Sequence, residues 1–212
     1  MRSVRPLLII IAGMALLAGC FTGKRAHFAE AAPTIDDPAV AAVVDRLEAP
    51  TPAPYTATYN LLTRFGSIAT LGTVAQSTPD ARSVTVGDVR FLEQPSGSQT
   101  CNVVTNACVA KVDDAQVSNL SLTHDFSKIS PVKRLQQDAT VMTGPAVGST
   151  RNIAGQTATC VTVAFAAGTK EYCALDNGLL AYQNTPDLEI TLLGLSAEAD
   201  PALFTTSTVA AG

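Results

Sequence analysis

The feature that most constrains the fold is a period of two in the hydrophobic pattern that begins after Pro54. Along residues 55–61, tyrosine, alanine and leucine alternate with threonine and asparagine, and a similar alternation returns at Leu188, Ile190 and Leu192. A strand with one buried face and one solvated face gives this pattern in antiparallel sheets. The sequence therefore predicts a mainly β fold of the α+β class.

Turn signals divide the chain into short β-prone stretches. Asn177-Gly178 stands between two apolar segments, and this dipeptide is the strongest short hairpin signal. Further breaks rich in Gly, Pro, Ser or Asp occur at Gly66, 77–80, Gly87-Asp88, 166–169 and Pro186-Asp187. This punctuation predicts about nine strands in a mainly meandering order.

Two segments show helical spacing instead. Asp37 and Pro38 suit the cap and first turn of a short helix that runs to Glu48, and the sequence leaves open whether this helix docks on the domain or frays. Ser130 as cap and Pro131 at the first position start a second helix of about three turns. The predicted architecture is a curved antiparallel sheet or half-barrel with one or two helices packed on its concave face.

The first nineteen residues have the three parts of a secretory leader. Arg2 and Arg5 supply the positive start, and an apolar run extends from Leu7 to Leu17. A helix needs roughly 20 apolar residues to cross a hydrocarbon core of about 30 Å, so this run is too short to span. We predict that residues 1–19 are a signal peptide.

The leader ends in Leu17-Ala18-Gly19-Cys20, which resembles the lipobox of bacterial lipoproteins. In that family the cysteine thiol receives diacylglycerol, a peptidase cuts before the cysteine, and acyl chains such as palmitate hold the protein on the membrane. The resemblance implies lipidation of Cys20 and a location on the extracytoplasmic face of the cell membrane. A plain secretory leader with a chance cysteine is the alternative. Abundant Ala and Thr and the absence of Trp are compatible with an actinobacterial source.

The chain therefore divides into four predicted parts. Residues 1–19 form the leader, and 20–53 form the lipidated N-terminus and an Ala/Pro-rich tether that contains the short helix. A single β-rich domain follows at 54–205, and 206–212 is a disordered tail. A chain of 212 residues is long enough for one domain with a substantial core once a leader is removed.

Four cysteines remain after Cys20, and an even number in an exported chain indicates disulfides. Four cysteines allow three connectivities, and we favour the sequential one, Cys101 with Cys108 and Cys160 with Cys173. Zinc binding and thiol redox chemistry are the functional alternatives. Zinc sites favour two to four residues between paired ligands and redox pairs favour two, whereas longer intervals separate these cysteines. We interpret the pairs as structural.

Few features point to catalysis. Only two histidines exist, His27 in the tether and His124, and no Gly-x-Ser-x-Gly elbow is present to partner either. Ser130 and Lys133 match the bare Ser-x-x-Lys spacing of serine β-lactamases, but the companion Lys-Thr-Gly and Ser-Asp-Asn motifs are missing. We predict a protein that is not an enzyme.

The charge balance argues against other classes of function. A net charge of −4 and a pI near 5.1 argue against nucleic-acid binding, which usually requires clustered Lys and Arg. Asp36-Asp37 and Asp113-Asp114 are adjacent carboxylates without calcium-loop spacing, and we interpret them as solvated turns. Neither a metal nor a cofactor is expected.

The order of elements carries a resemblance to a known family. A lipobox, an Ala/Pro tether, alternating strands from Tyr55, a last strand at 188–192 and an Asp-Pro-Ala-Leu-Phe segment at 200–204 resemble actinobacterial lipoproteins with the LolA/LppX type of half-barrel. That family has a curved antiparallel sheet closed by helices around an apolar cavity, and it carries lipids or lipoproteins between envelope layers. The two proposed disulfides and the shortage of helix depart from its pattern.

The resemblance implies a hydrophobic cavity, and apolar strand faces would line it. The candidate lining residues are Tyr55, Tyr59, Val161, Val163, Phe165, Leu188 and Ile190. We therefore predict that the protein binds a lipid or another hydrophobic ligand. Because alternating apolar residues also form ordinary filled cores, the alternative is a structural or protein-interaction module of the envelope that binds a protein partner and no ligand.

Overall fold

The computed structural model describes residues 35–205, and these residues all belong to one compact unit. They form two α-helices, three short 3-10 helices and eleven strands. The α-helices are α1 (Pro38–Glu48) and α2 (Ile129–Val141), and the 3-10 helices are Phe65–Ser67, Asp114–Leu120 and Pro201–Phe204. The strands are β1 (Tyr55–Thr63), β2 (Ile68–Thr78), β3 (Ala81–Val86), β4 (Val89–Gln94), β5 (Gly97–Asn102), β6 (Cys108–Ala110), β7 (Val147–Ile153), β8 (Gln156–Phe165), β9 (Gly168–Leu175), β10 (Leu180–Asn184) and β11 (Leu188–Ser196).

All eleven strands lie in one antiparallel sheet, in the order β6-β5-β4-β3-β2-β1-β11-β10-β9-β8-β7. Two meanders, β1–β6 and β7–β11, are joined side by side where β1 pairs with β11. The sheet is open, with β6 and β7 at its two edges. The predicted mainly β, antiparallel fold is confirmed, with eleven strands rather than about nine. The count differs because β6 has only three residues and β7 is polar from Gly148 to Asn152, without alternation.

The sheet has an inner face that packs against the helices and an outer face. Along β1, buried and half-buried residues alternate from Tyr55 to Thr63, and the buried set lies on the inner face with the hydrophobic core. Leu71 of β2 pairs with Asn60 of β1, and because paired residues share a face, Leu71 lies on the outer face. Most of the core therefore lies on the inner side of the sheet, while Ala158, Cys160 and Cys173 are buried on the outer side.

Helix α1 forms where the sequence predicts it. The Asp37 side chain accepts hydrogen bonds from the backbone N–H groups of Ala39 and Val40, at 2.9 and 3.2 Å, and Pro38 begins the helix. An apolar stripe that includes Leu47 is fully buried against β8, β9 and α2. Burial of each such side chain contributes about 1.5–3 kcal/mol. The helix is thus docked, and the folded unit includes residues before position 54.

Helix α2 begins earlier than predicted. Ser130 lies inside the helix, and its hydroxyl donates to the Asp125 carboxylate at 2.7 Å instead of capping the helix. The Asp125 carbonyl accepts from the backbone N–H groups of Lys128 and Ser130, so the chain is already turning before Ser130. The prediction that Ser130 is the N-cap is wrong, because the nearby Asp125 carboxylate takes its hydroxyl.

A close contact between β2 and the segment before α2 requires glycine. A Cβ atom at Gly72 would lie 2.7 Å from Leu61 Cδ1 and 3.1 Å from Phe126 Cζ. The Phe126 ring also meets the Tyr59 ring edge-on, with centroids 5.3 Å apart and planes at 87°, an arrangement that aromatic pairs favour. Glycine at position 72 therefore lets Phe126 settle onto the centre of the sheet.

Both predicted disulfides are confirmed. Cys101 is bonded to Cys108 and Cys160 to Cys173, and each pair joins residues directly opposite one another on neighbouring strands, β5 with β6 and β8 with β9. The hairpins themselves bring the sulfurs together, which explains why sequential pairing is the one that forms.

Several predictions fall on residues outside the described range. These are the signal peptide at 1–19, lipidation of Cys20, the first part of the tether and the tail at 206–212. Among the helices between residues 35 and 205, none combines the length and the apolar character needed to cross a membrane.

Candidate functional site

The residues predicted to line a ligand cavity form part of a filled core. Six of the seven are buried on the inner face, and Phe165 is half-buried with the Lys170 ammonium 4.6 Å from its ring centroid. The buried six are Tyr55, Tyr59, Val161, Val163, Leu188 and Ile190. They pack with α1, α2 and Phe126 in a single hydrophobic cluster. The structure brings these residues into one cluster, but they pack within a filled core instead of lining a cavity.

A small pocket remains between the segment before α2 and strands β10 and β11. Its volume is about 30 Å³, and Leu188 and Ile190 reach it together with Phe126. Gln183 also lines it, with its buried side-chain nitrogen lacking a hydrogen-bond partner among the described residues. A space of this size holds about one water molecule, whereas pockets for small molecules measure about 300–1,000 Å³. This pocket therefore has room for a water rather than an acyl chain.

A larger groove lies at the surface, where Pro52–Tyr55 approach the end of β11. It measures about 420 Å³, and its walls include Gln156, Asn177 and Leu195. Tyr55, a predicted lining residue, contributes to this groove while remaining almost fully buried. The groove is open to solvent at the margin of the sheet, so it is separate from the core that the sequence analysis expected to be hollow.

The Ser130 hydroxyl belongs to a compact polar network. It lies 2.7 Å from the Thr123 hydroxyl, and both hydroxyls bond the Asp125 carboxylate. Burial alone would raise the pKa of Asp125, but the hydrogen bonds from Thr123 and Ser130 and the nearby positive charge of Arg82 hold that pKa below its ordinary value. Lys133 is exposed. The Ser-x-x-Lys spacing therefore does not create a serine nucleophile paired with a lysine.

The contacts of His124 indicate a structural role. Its Nδ1 lies 3.0 Å from an Asp114 carboxylate oxygen, its backbone N–H donates to the same carboxylate at 2.6 Å, and its Nε2 lies 3.8 Å from Glu93. Both ring nitrogens thus face carboxylates rather than a hydroxyl. Asp113 caps the 3-10 helix Asp114–Leu120 by accepting from Ala115. Asp113 and Asp114 are half-exposed, which is compatible with solvated turn residues, and their carboxylates also bind neighbouring parts of the fold.

One cluster of metal-ligand residue types occurs in the described chain. The sulfurs of Cys160 and Cys173 lie close to the Glu171 carboxylate, but they are joined as a disulfide. Thiolate is the form of cysteine that binds metals, so this cluster does not offer a metal site while the bond is intact. Glu171 instead pairs with Arg151 at 3.0 Å.

Strand β7, at one edge of the sheet, is not among the strands predicted from the sequence. All seven of its residues pair with β8 on one side, and the other side is the edge of the sheet. Its first six residues are exposed, and none is proline. Its only charge, Arg151, is held by Glu171 and lies 4.6 Å from the centre of the Tyr182 ring. The Ala154-Gly155 turn, with positive φ at both residues, was the one local signal of this hairpin.

Comparisons with known proteins reveal similarity at the level of fold. No protein-family model matches the chain, and no curated protein matches it. A crystal structure of MucB matches 81% of this chain and 63% of its own length, with 14% identity and a TM-score of 0.52. The Pseudomonas aeruginosa MucA/MucB complex (12% identity, 79% and 59% coverage, TM-score 0.47) and MucB in complex with MucA(peri) (13%, 80% and 60%, 0.49) are also similar. This chain spans less than two thirds of those MucB chains, and the likeness to MucB is one of fold.

Proposed function

We propose that this chain is a lipid-anchored, extracytoplasmic protein-interaction module that binds an extended segment of an envelope protein along β7. The observation that carries the proposal is a seven-residue edge strand, whose first six residues are exposed, beside a filled inner face. The role is that of a binding protein rather than an enzyme. It corresponds to the alternative raised by the sequence, and the lipid-binding prediction has less support.

Packing of the inner face supports this choice between the two. A lipid carrier of the predicted type needs an enclosed apolar cavity of several hundred Å³. The pocket lined by Phe126 measures about 30 Å³, and the groove of about 420 Å³ beside Tyr55 is open to solvent and separate from the core. The residues expected to line a cavity are in contact with one another and with the helices. Ligand entry would therefore require displacement of α2 or Phe126 from the core, at a cost of several kcal/mol for a side chain of this size.

The edge of β7 supports strand addition. A free edge presents backbone N–H and C=O groups that an added strand can pair with, and natural proteins usually block such edges with lysine, proline or short strands. Strand β7 has neither lysine nor proline. Its single arginine is already paired with Glu171. A partner would gain main-chain hydrogen bonds here without displacing a protecting side chain.

The related fold supports the same class of partner. MucB has been solved in complex with MucA, so a protein with a similar fold binds another protein. For this chain the partner is proposed only as an envelope protein that contributes an extended segment.

The proposed location rests on the leader and Cys20, whose surroundings resemble a lipobox. Two or more acyl chains give stable attachment to a membrane, where a single chain is marginal. Cys20→Ala is expected to abolish labelling by fatty acid and to release the protein from membranes. Equal membrane retention of both forms, with neither labelled, contradicts the anchor.

Site-specific photocrosslinking in cells tests the binding edge. A photoreactive amino acid at Thr150, exposed in the middle of β7, is expected to give a discrete protein adduct. The matched control places the same group at Leu71, exposed on the outer face of β2. Thr150→Lys should reduce adduct formation from a neighbouring position on β7, because charge blocks edge pairing. The same adducts from both sites, or none from Thr150, would count against the proposal.

A further inference from the structure

Four of the nine exposed large hydrophobic residues in the described part of the chain lie together at one end of the strands. We call this end the lower rim; it consists of the β1–β2, β8–β9 and β10–β11 turns, the end of α2 and the start of β7. Phe65 is 90% exposed in the β1–β2 turn, and Ile68 is 42% exposed beside it. Val141, which ends α2, and Val147, which starts β7, are each 64% exposed. Exposed apolar side chains that are grouped together mark protein or membrane interaction sites, whereas single scattered ones are ordinary surface.

The strand registers place these residues at the same end of the sheet. Thr63 pairs with Ile68 and also with Leu188, so the β1–β2 turn and the start of β11 are adjacent. Farther along, Phe165 pairs with Gly168 and Val147 pairs with Thr162. The backbone N–H of Thr143 donates to the Ala164 carbonyl at 2.9 Å, which brings the end of α2 to this rim.

Phe65 is held outward by its neighbour. The Arg64 backbone N–H donates to the Asp187 carbonyl at 2.9 Å. Its guanidinium donates to the Thr185 carbonyl, the Asn184 side chain and the Glu189 carboxylate at 3.2, 2.7 and 2.8 Å. With its neighbour fixed by four hydrogen bonds, Phe65 is presented to solvent in a defined place. Such preorganisation lowers the entropy cost of binding.

The chain also enters the folded unit at the lower rim. The Asp37 carboxylate accepts a hydrogen bond from the backbone N–H of Ala146, at 2.9 Å, and Ala146 directly precedes Val147. Cys20 lies fewer than twenty residues before Asp37, an extended span of at most about 60 Å. An anchor at Cys20 would therefore keep this end of the sheet within about 60 Å of the membrane and let the rim reach the lipid surface.

The charges near Phe65 are already neutralised. Arg64 pairs with Glu189 at 2.8 Å and Arg134 pairs with Asp187 at 3.1 Å. The exposed apolar residues project from separate turns instead of enclosing a groove. Projecting apolar tips with balanced charge suit the boundary between headgroups and acyl chains, where apolar groups are buried and polar groups stay wet.

We propose that the lower rim docks on the lipid surface of the membrane that holds Cys20, with Phe65 and Ile68 entering the headgroup boundary and Val141 and Val147 following. This inference rests on the proposed anchoring at Cys20 and adds a second, non-covalent membrane contact. It orients the domain, because contact at the rim places the free edge of β7 sideways to the membrane rather than facing it.

The absence of tryptophan permits a direct test. Phe65→Trp gives the rim a single indole, and Leu71→Trp gives one to the outer face at a residue that is 62% exposed. Each lipidated full-length variant is bound to phosphatidylcholine vesicles with ordinary or brominated acyl chains. Phe65→Trp emission is expected to shift to shorter wavelength and to lose most of its intensity in the brominated vesicles, whereas Leu71→Trp emission is unchanged.

The outcomes separate the rim contact from the anchor. Vesicle-bound protein whose Phe65→Trp emission is neither shifted nor quenched would overturn the rim contact and leave the anchor intact. Equal responses of the two tryptophans would also overturn it, because the contact would not be specific to the rim. If Cys20→Ala leaves vesicle binding unchanged and Phe65→Trp still responds, the anchor fails and the rim contact stands. If the lipidated protein does not bind the vesicles at all, both the anchor and the rim contact are contradicted.

Discussion

Two different covers close the inner face of the sheet. Helices α1 and α2 form the helical cover, which presents buried apolar stripes to β8 and β9. Residues 111–128 form the loop cover, which is held largely by polar contacts. Thr100 and Thr63 donate to the carbonyls of Lys111 and Leu120, each at 2.9 Å. One core is thus sealed in two ways, by the periodic apolar faces of helices and by a few apolar side chains, Val117, Leu122 and Phe126, within a hydrogen-bonded loop.

The largest expected effect is on the aromatic ring of the loop cover. Phe126→Ala should lower the free energy of unfolding by about 3–5 kcal/mol, because it leaves a cavity under the sheet. The enlarged space should also bind benzene-sized ligands that the wild type does not take up. Urea unfolding and ligand-dependent Tm measure the two effects. Phe65→Ala is the matched control, with a change within about 0.5 kcal/mol; a loss as small for Phe126→Ala would show that the ring is not the main contact of this cover.

The helical cover gives the next effect. Leu47→Ala removes a fully buried side chain from α1 and should cost about 2–4 kcal/mol. Leu193→Ala, at an exposed position of β11, is the control. Chemical denaturation measures both. If the two variants lose the same stability, α1 is not part of the core and the contrast between the covers disappears.

The polar network of the loop cover should respond to acid. The folded-state pKa of Asp125 lies below its ordinary value of 3.8, so the carboxylate stabilises the fold above that pH and loses this contribution as the pH falls through the folded value. Asp125→Asn should cost about 1–2 kcal/mol at neutral pH, a figure reduced for partial solvent exposure. Stability measured from pH 7 to pH 3 should fall less in this variant than in the wild type. Asp80→Asn, in an exposed turn, should leave the pH profile unchanged.

The smallest expected effect is at the start of the helical cover. Asp37→Ala removes the cap of α1 and the bond to Ala146, and the loss of a cap costs about 1 kcal/mol. Asp36→Ala changes the adjacent aspartate, to which no helix-capping bond belongs. Thermal unfolding should separate the two variants. Identical Tm values would show that the cap contributes nothing to the helical cover.

The same contrast separates what the sequence could predict from what it could not. Helix α1 of the helical cover could be predicted because Asp37, Pro38 and the apolar spacing that follows are local signals. The loop cover was not, because Phe126 fits over the missing Cβ of Gly72, and no local pattern relates two residues so far apart. The predicted strand faces were found where expected, yet whether they enclose a space depends on side-chain volumes that meet only in the folded chain.

The edge strand β7 was not predicted, for a different reason. Strand β7 carries exposed polar residues from Gly148 to Asn152, so no buried face imposes alternation on it. Hydrophobic periodicity detects strands by the side they bury, and an edge that is exposed on most sides gives little signal. Both disulfides were predictable because each closes a short hairpin between neighbouring strands.

The pairing of β1 with β11 has a consequence for how the chain reaches this structure. Thr63 and Leu188 are the β1–β11 partners that lie nearest in sequence, and most of the domain lies between them along the chain. Every other strand pairing joins two strands that are consecutive in sequence. Each meander can therefore form from local contacts, but the β1–β11 pairing must wait until the last strand is available, and closing so long a loop slows folding. We expect the pairing of β1 with β11, in the middle of the finished sheet, to form after the local pairings on either side of it.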